Sequence, residues 1–363
     1  MKKVLFIASH RFNRAPAQRF RFEQFFDYLE SNGFHCELSH FISDSDDKYL
    51  YREGSYLQKF RILLKAIIKR FQDISRANEF DIIFIQREAL LLGSTYFEKR
   101  FAKSKAKVIY DFDDSIWLND TSNANKKLSW LKNPGKTAKI ISISDMVFAG
   151  NKYLADYASR YNSNVKIVPT TIDTDWHKRT IHRANDTLPI CIGWTGSITT
   201  IKHFEYAVPM LIKLKEKYGN QISFKVIGDI NYKNEVLSIK GIEWTSETEI
   251  EELSTLDIGI MPLPNDEWTK GKCGLKGLQY MALEIPAIMS PVGVNSEIIK
   301  DGLNGFLASE EEEWIEKISL LIEDIELRKR IGMEARKTVV DKYSKNSEKG
   351  SYIKYFNELL GTK

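Results

Sequence analysis

Two segments of the chain place glycines and lysines at the start of a helix, a combination suited to phosphate. The first is Ile192-Gly193-Trp194-Thr195-Gly196-Ser197, with Lys202 five residues beyond Ser197. Glycines let the backbone approach a phosphate, and a helix N-terminus offers unpaired N–H groups. The second is Gly271-Lys272-Cys273-Gly274-Leu275-Lys276-Gly277-Leu278-Gln279, continuing to Tyr280-Met281-Ala282. Lys272 and Lys276 flank the start of its helix. Gln279 follows Lys276 by one turn, on the same face. Lysines with a helix dipole suit a diphosphate, and an amide suits a ribose hydroxyl. Gly196, Ser197, Lys202, Lys272, Gly274, Leu275, Lys276 and Gln279 form one candidate set. The competing reading is an ordinary surface helix with solvated lysines.

A second set lies earlier in the chain. Asp111-Phe112-Asp113-Asp114 follows an apolar run at 108–110. Carboxylates at a strand end can act as general base, hydroxyl acceptor or metal ligand; equally, Asp caps turns and helices. His10, Arg11, Arg14, Arg19 and Arg21 follow the first apolar run, and arginines there can grip an anion or simply be solvated. Residues 59–71 form an amphipathic helix with a basic face, including Lys65, Lys69 and Arg70. Such a helix either lies on an anionic membrane or packs on a core.

The elements that must position these residues are legible as a series. Short apolar runs occur at 4–8, 82–85, 108–110, 146–149 and 165–168, then at 190–193, 224–227, 258–261 and 287–289. Helical periodicity falls between them, at 17–31, 152–161, 204–218 and 275–283. Strand and helix in alternation imply parallel sheets covered on both faces. The series runs twice around a polar stretch at 170–189. The expected fold is therefore α/β: two Rossmann-like, doubly wound domains facing across a cleft, over residues 1–169 and 170–344. A helix at 345–363 is expected to pack back on the first domain. Ligands of such sheets bind at the carboxyl ends of strands.

Composition narrows the classes. The 363 residues are 43% hydrophobic and 28% charged, with a net charge of +4, which suits a folded chain and demands no nucleic acid. Cys36, Cys191 and Cys273 are too scattered for a disulfide framework or a zinc site. The first apolar run is too short for a signal peptide, and none approaches a membrane span, so a cytoplasmic protein is expected. Glu310-Glu311-Glu312-Glu313 reads as a helix start, where negative charge suits the dipole. Gly135-Lys136-Thr137 mimics a P-loop end, but the required first glycine is Trp130. The sequons at Asn119 and Asn185 lack a secretion signal.

The motifs in this order resemble the GT-B glycosyltransferases, specifically glycosyltransferase family 4. The stretch 257–307 carries most of it: Asp257-Ile258-Gly259-Ile260-Met261-Pro262-Leu263, the 271–282 loop and helix, Ile285-Pro286-Ala287-Ile288, Ser290-Pro291-Val292-Gly293 and Asp301-Gly302-Leu303-Asn304-Gly305-Phe306-Leu307. The resemblance implies transfer of a sugar from a nucleotide diphosphate with retention of configuration. Its donor-binding residues would be Gly196, Ser197, Lys272, Gly274, Leu275 and Gln279. Lys202 matches the lysine of the family's diphosphate-binding pair, while the arginine position is Ser197. The family's two glutamates, with seven residues between them, fall on Gly271 and Gln279, and its N-terminal histidine is replaced by Asp113 or Asp114. The family's glycine-rich first turn is here the arginine-rich stretch 9–21.

The implied catalytic set is Asp113, Asp114, Lys202 and Lys276, with His10, Arg14 and Arg19 on the acceptor. Negative charge growing on the leaving diphosphate would be held by the lysines and the helix N-terminus. No metal or other cofactor is expected. The expected partners are the nucleotide-sugar donor, a glycan or lipid-linked acceptor in surface polysaccharide or glycolipid assembly, and an anionic membrane surface. Residues 229–232 and Trp244 are candidates to meet the base. Three rivals remain: a non-catalytic nucleotide-sugar-binding subunit, a sugar-nucleotide epimerase or phosphotransferase on the same fold, and a metal-dependent transferase built on Asp111 and Asp113.

Overall fold

A computed structural model of the protein describes residues 1–50, 52, 54–118, 133–180 and 189–362; Trp130 and both sequons lie outside them. The chain forms two compact units, Met1–Thr170 with Glu348–Lys363, and Thr171–Ser347. The first is built on β1 (Lys2–Ile7), β2 (Phe34–Ser39), β3 (Ile82–Gln86), β4 (Lys107–Phe112), β5 (Met146–Ala149) and β6 (Val165–Ile167). Their order is β2-β1-β3-β4-β5-β6, with every neighbouring pair parallel. The inner strands are continuous apolar runs because helices cover both faces. Edge strand β2, Phe-His-Cys-Glu-Leu-Ser, mixes polar and apolar residues and leaves no such run in the sequence. The core joins Phe6, Phe84, Ile109 and Phe148 to Phe22, Phe25 and, from the helix Lys345–Leu360, Tyr352 and Phe356.

The second unit holds β7 (Ile190–Thr195), β8 (Ile222–Ile227), a small antiparallel pair β9 (Lys233–Asn234) and β10 (Ile239–Lys240), then β11 (Ile258–Met261), β12 (Ala287–Met289) and β13 (Phe306–Leu307). The main sheet runs β13-β12-β11-β7-β8, again all parallel. Numbered from its own first strand, each sheet contains the order 2-1-3-4-5. This is the doubly wound arrangement whose direction of winding reverses between strands 1 and 3. That point lies between β1 and β3 in the first unit and between β7 and β11 in the second. Trp194, Ile260, Ile288, Leu211, Leu214, Trp314 and Ile318 are among the second core.

Three helices differ from expectation. Residues 17–31 break into Pro16–Arg19, a 3-10 turn Glu23–Phe25 and Phe26–Ser31. Every residue from Gln18 to Glu23 is buried, and one continuous helix presents only one face to a core. Residues 204–218 divide because Pro209 opens a new helix, Val208–Tyr218. In the helix Tyr56–Arg76, Arg70 does not belong to the basic surface: it is buried and bonds Asp73, Ser39 and the carbonyls of Ala8 and Ala89. The acidic run does open a helix, Glu311–Glu323, with a capping box between Glu310 and Glu313. Among the described residues no helix is long and apolar enough to cross a membrane.

Candidate functional site

In the second unit, the switch point brings both glycine–lysine segments to one place. The hydroxyl of Tyr280, on the helix Leu275–Ala282, accepts the N–H of Thr195 at 2.9 Å and ties that helix to the end of β7. Gly196 follows. A Cβ there would lie 2.3 Å from the Trp194 ring and 2.7 Å from Thr200 Oγ1, so glycine is required by packing alone. Ser197 is exposed and opens the turn Ile198–Thr200 with a capping box to Thr200. Gly274 occupies the N-cap of Leu275–Ala282 with φ of 71°, and a Cβ would meet Ile298 Cδ1 at 2.4 Å. No side chain caps this helix, and no acid stands in its first turn. Leu275 is half-buried there.

A histidine not singled out in the sequence feels the charge of all three lysines. His203 is buried on the short helix Ile201–Glu205, and its pKa is lowered to about 4. Burial is the first cause; Lys276, Lys272 and Lys202 follow in that order, opposed by Asp266. Lys202 is exposed, whereas Lys276 and Lys272 are half-buried, with Nζ 5.5 Å from the Trp194 ring and 5.4 Å from the Trp268 ring. Burial first, and the three ammonium groups after it, keep the imidazole neutral at pH 7. The same three groups would strengthen the binding of an anion among them. A lone histidine beside a lysine is weak evidence in a sequence, so this signal needed the fold.

Gln279 is buried, and its Nε2 donates to Glu249 Oε1 at 3.0 Å. The indole N–H of Trp244 donates to the same oxygen at 2.9 Å. Glu249 is itself buried, at the start of the helix Glu249–Ser254. A carboxylate only accepts, so the NH₂ side of Gln279 must face it and the carbonyl side must face away. Glu249 was not singled out in the sequence, where it is one of several acids in a polar stretch. The expectation that Trp244 meets a base is corrected for its polar edge, which is committed to Glu249. Residues 229–232 form a turn in which Asp229 Oδ1 accepts the Asn231 N–H at 2.9 Å.

The first unit gathers a different set beyond β1, β3 and β4. Asp113 and Asp114 do not stand as an open acidic cluster with Asp111. Arg87, directly after β3, donates Nε to Asp113 Oδ1 at 2.7 Å and Nη2 to Asp114 Oδ2 at 2.8 Å. Arg87 holds φ of 60°, an uncommon conformation for a side-chain-bearing residue. Asp111 turns inward and pairs with Arg21, both fully buried. Arg21 also donates to the carbonyl of Val168, and its own carbonyl accepts the Tyr352 hydroxyl.

The reading of the arginine-rich stretch as an open anion grip is therefore corrected. Arg21 is internal. Arg11 pairs with Asp44 and Asp47, and Arg14 Nε lies 2.8 Å from Asp47 Oδ2. Arg19 is 8% exposed, with its guanidinium 5.0 Å over the Phe20 ring, so its charge points into the unit. His10 is half-buried, 3.7 Å from Asp47, and bridged to Gln18 through its backbone. Burial is the main cause that lowers its pKa to about 4; Asp47 opposes, while Arg14, Arg11 and Arg87 add to the fall. Gln18 continues to Glu23, whose carboxyl is pushed up to about 7, first by burial, against bonds from Asn13 and Gln18. Lys136, of the false P-loop, is buried and bonds Glu88 and the carbonyls of Leu90 and Leu92.

Comparison with known proteins bears on both units. Residues 189–324, which include the lysine cluster, match the family described as Glycosyl transferases group 1. No curated protein sequence matches the chain. Solved structures match in fold over the whole chain. A glycosyltransferase from Rickettsia africae is 16% identical, with TM-score 0.70 over 100% of this chain and 99% of that one. Sucrose-phosphate synthase from Thermosynechococcus elongatus is 12% identical, with TM-score 0.71 over 99% and 100%. HepE from Anabaena, solved with UDP and glucose, is 13% identical, with TM-score 0.64 over 99% and 100%. With two doubly wound units, the chain has the GT-B fold, and the group 1 match covers the part of it that carries the lysines.

Proposed function

We propose that the second unit binds a nucleotide-diphosphate sugar and that the enzyme transfers the sugar, with retention, to a glycan or lipid-linked acceptor. The observation that carries this is the Thr195–Tyr280 bond, which ties the end of β7, with Gly196 and Lys202 beyond it, to the helix Leu275–Ala282 that Lys272 and Lys276 flank. Structures of Anabaena HepE hold UDP or UDP-glucose, and that protein shares the fold. In this reading Lys276 and Lys202 hold the diphosphate, with Lys272, Gly196, Ser197, Gly274 and Leu275 around it. The Gln279 carbonyl, turned away from Glu249, accepts a ribose hydroxyl. As the bond from the anomeric carbon to phosphate breaks, the electron pair goes to the diphosphate oxygen. The preorganised lysines and N–H groups stabilise that charge. The acceptor hydroxyl attacks from the face that the diphosphate leaves, and its proton passes to a phosphate oxygen.

The first unit takes the acceptor. Asp113 and Asp114, held by Arg87, accept hydroxyl hydrogens of sugar or acceptor, and His10 and Arg14 stand beside them. Arg19 has no part in this, being turned inward. The setting is surface polysaccharide or glycolipid assembly on the cytoplasmic side of the membrane. The test is a thermal-shift panel with UDP, GDP, ADP and CMP, each with and without magnesium. A ligand at 100 times its Kd stabilises by about 2.7 kcal/mol, a shift of about 5–10 °C for a domain of this size. One diphosphate should stand out, indifferent to magnesium, and Lys276→Ala should erase its effect. No response to any nucleotide would refute the donor site.

A further inference from the structure

The helix Tyr56–Arg76 carries apolar residues on both its inner and its outer side. Inward it buries Ile62 and Ala66, beside the ion pair of Arg70 and Asp73. Outward it leaves Leu57 62%, Phe60 54%, Leu64 44%, Ile68 58% and Phe71 49% exposed. At about 100° per residue these five fall within an arc of about 80°, and from first to last they run about 21 Å along the axis. They form a stripe rather than scattered single residues. Tyr96, 48% exposed on the neighbouring helix Tyr96–Ala102, extends it, with its ring 6.0 Å from that of Phe71.

The exposed charges of the helix itself have one sign, and Lys69 is half-buried and pairs with Asp73 at 3.5 Å. Arg61 and Lys65 are exposed along one border, followed by Lys69, and Lys99 and Arg100 are exposed on the neighbouring helix. The one acid in Tyr56–Arg76 is Asp73, which is buried and bonds Arg70 and Ser39. Lys65 also reaches Asp46 on the preceding helix at 3.1 Å. A second copy of this chain docked isologously on the stripe would set these cations against their own copies, a like-charge contact. An anionic lipid surface takes both features together: apolar side chains enter the acyl boundary, and the cations meet the headgroups.

We propose that the outer face of Tyr56–Arg76, with Tyr96, is a membrane-docking surface that lies in the interface of an anionic bilayer. This goes beyond the transfer reaction and does not depend on it. Full-length protein is sedimented with vesicles of phosphatidylcholine alone and of phosphatidylcholine mixed with phosphatidylglycerol, without donor or acceptor. Binding should require phosphatidylglycerol and weaken with salt. Leu64→Ser with Ile68→Ser should lower it by about tenfold or more, since both sides of the stripe's centre are lost. Arg61→Glu with Lys65→Glu should lower it by a comparable factor. A Phe60→Trp variant should shift its emission to the blue on anionic vesicles. Circular dichroism checks that each variant folds, as expected for exposed positions.

Failure of the unaltered chain to bind anionic vesicles at low salt would overturn the proposal. So would full binding by the Leu64→Ser, Ile68→Ser variant. Dimers in solution that this variant dissolves, with no vesicle binding, would assign the face to copies of the chain instead. A donor-induced thermal shift that persists through any of these failures leaves the donor site standing.

Discussion

Replacing Gln279 by Glu gives this chain the residue that its resemblance to family 4 leads one to expect there, and it should harm the protein. The carboxylate of that region is already present on Glu249. A second one at the 3.0 Å of the present contact would repel it by about 5 kcal/mol at an effective dielectric of about 20. Protonating one carboxyl at pH 7.5 costs less, about 4 kcal/mol, so one of the pair takes up a proton and the penalty settles near that value. The pair's folded pKa is thereby raised above its unfolded value. Stability is then retained at low pH and lost as pH rises through the raised pKa. At pH 5 the penalty should shrink to about 1 kcal/mol. For a unit of this size the variant should melt about 10 °C below the unaltered protein at pH 7.5, and within a few degrees of it at pH 5. Glu249→Gln alone removes charge-assisted bonds to Trp244 and Gln279 and should cost about 2 kcal/mol. The exchange, Glu249→Gln with Gln279→Glu, restores one acceptor and one amide and should recover most of the loss. Melting curves of the four proteins at both pH values decide it. A Gln279→Glu protein as stable as the parent at pH 7.5, or an exchange no better than the sum of its parts, would refute the argument.

Three further outcomes follow from the same geometry. The imidazole of His203, followed by NMR, should rise in pKa on Lys276→Ala, on Lys272→Ala and on Lys202→Ala, most for the first, and also when a nucleoside diphosphate binds; an unmoved titration would disperse the cluster. His10 and Glu23 work in opposite directions on the first unit. The depressed His10 pKa removes stability as pH falls from 6.5 to about 4, while the raised Glu23 pKa removes it as pH rises from 4.5 to about 7. Each is worth about 3 kcal/mol, so urea unfolding should vary little over pH 4.5–6.5 in the unaltered protein. Glu23→Gln should unmask an acid-side loss of about that size. Arg21→Met strands the buried Asp111 and should cost about 3–5 kcal/mol in denaturant unfolding; adding Asp111→Asn should return part of it.

What was legible in the sequence follows from what is local. The runs at 82–85, 146–149 and 258–261 coincide with β3, β5 and β11 because a strand covered on both faces has no polar alternative. Edge strand β2 and the two-residue β13 carry no such constraint. The lysine segments were legible because glycine, lysine and helix start are set by neighbours in the chain. Arg87 with Asp113 and Asp114, and Glu249 with Gln279, pair across 26 to 30 residues, a separation that only the sheet order fixes.

Arg11, Arg14 and Arg21 looked like an anion grip, yet each pairs with a carboxylate of its own unit, Asp44 and Asp47 or Asp111. Lys202, Lys272 and Lys276 lie near the buried His203 imidazole, as does the carboxylate of Asp266. Charge explains the residue at 279. With Glu249 buried behind it, a glutamate there would add a second negative charge. An amide there donates to that carboxylate and adds no second charge.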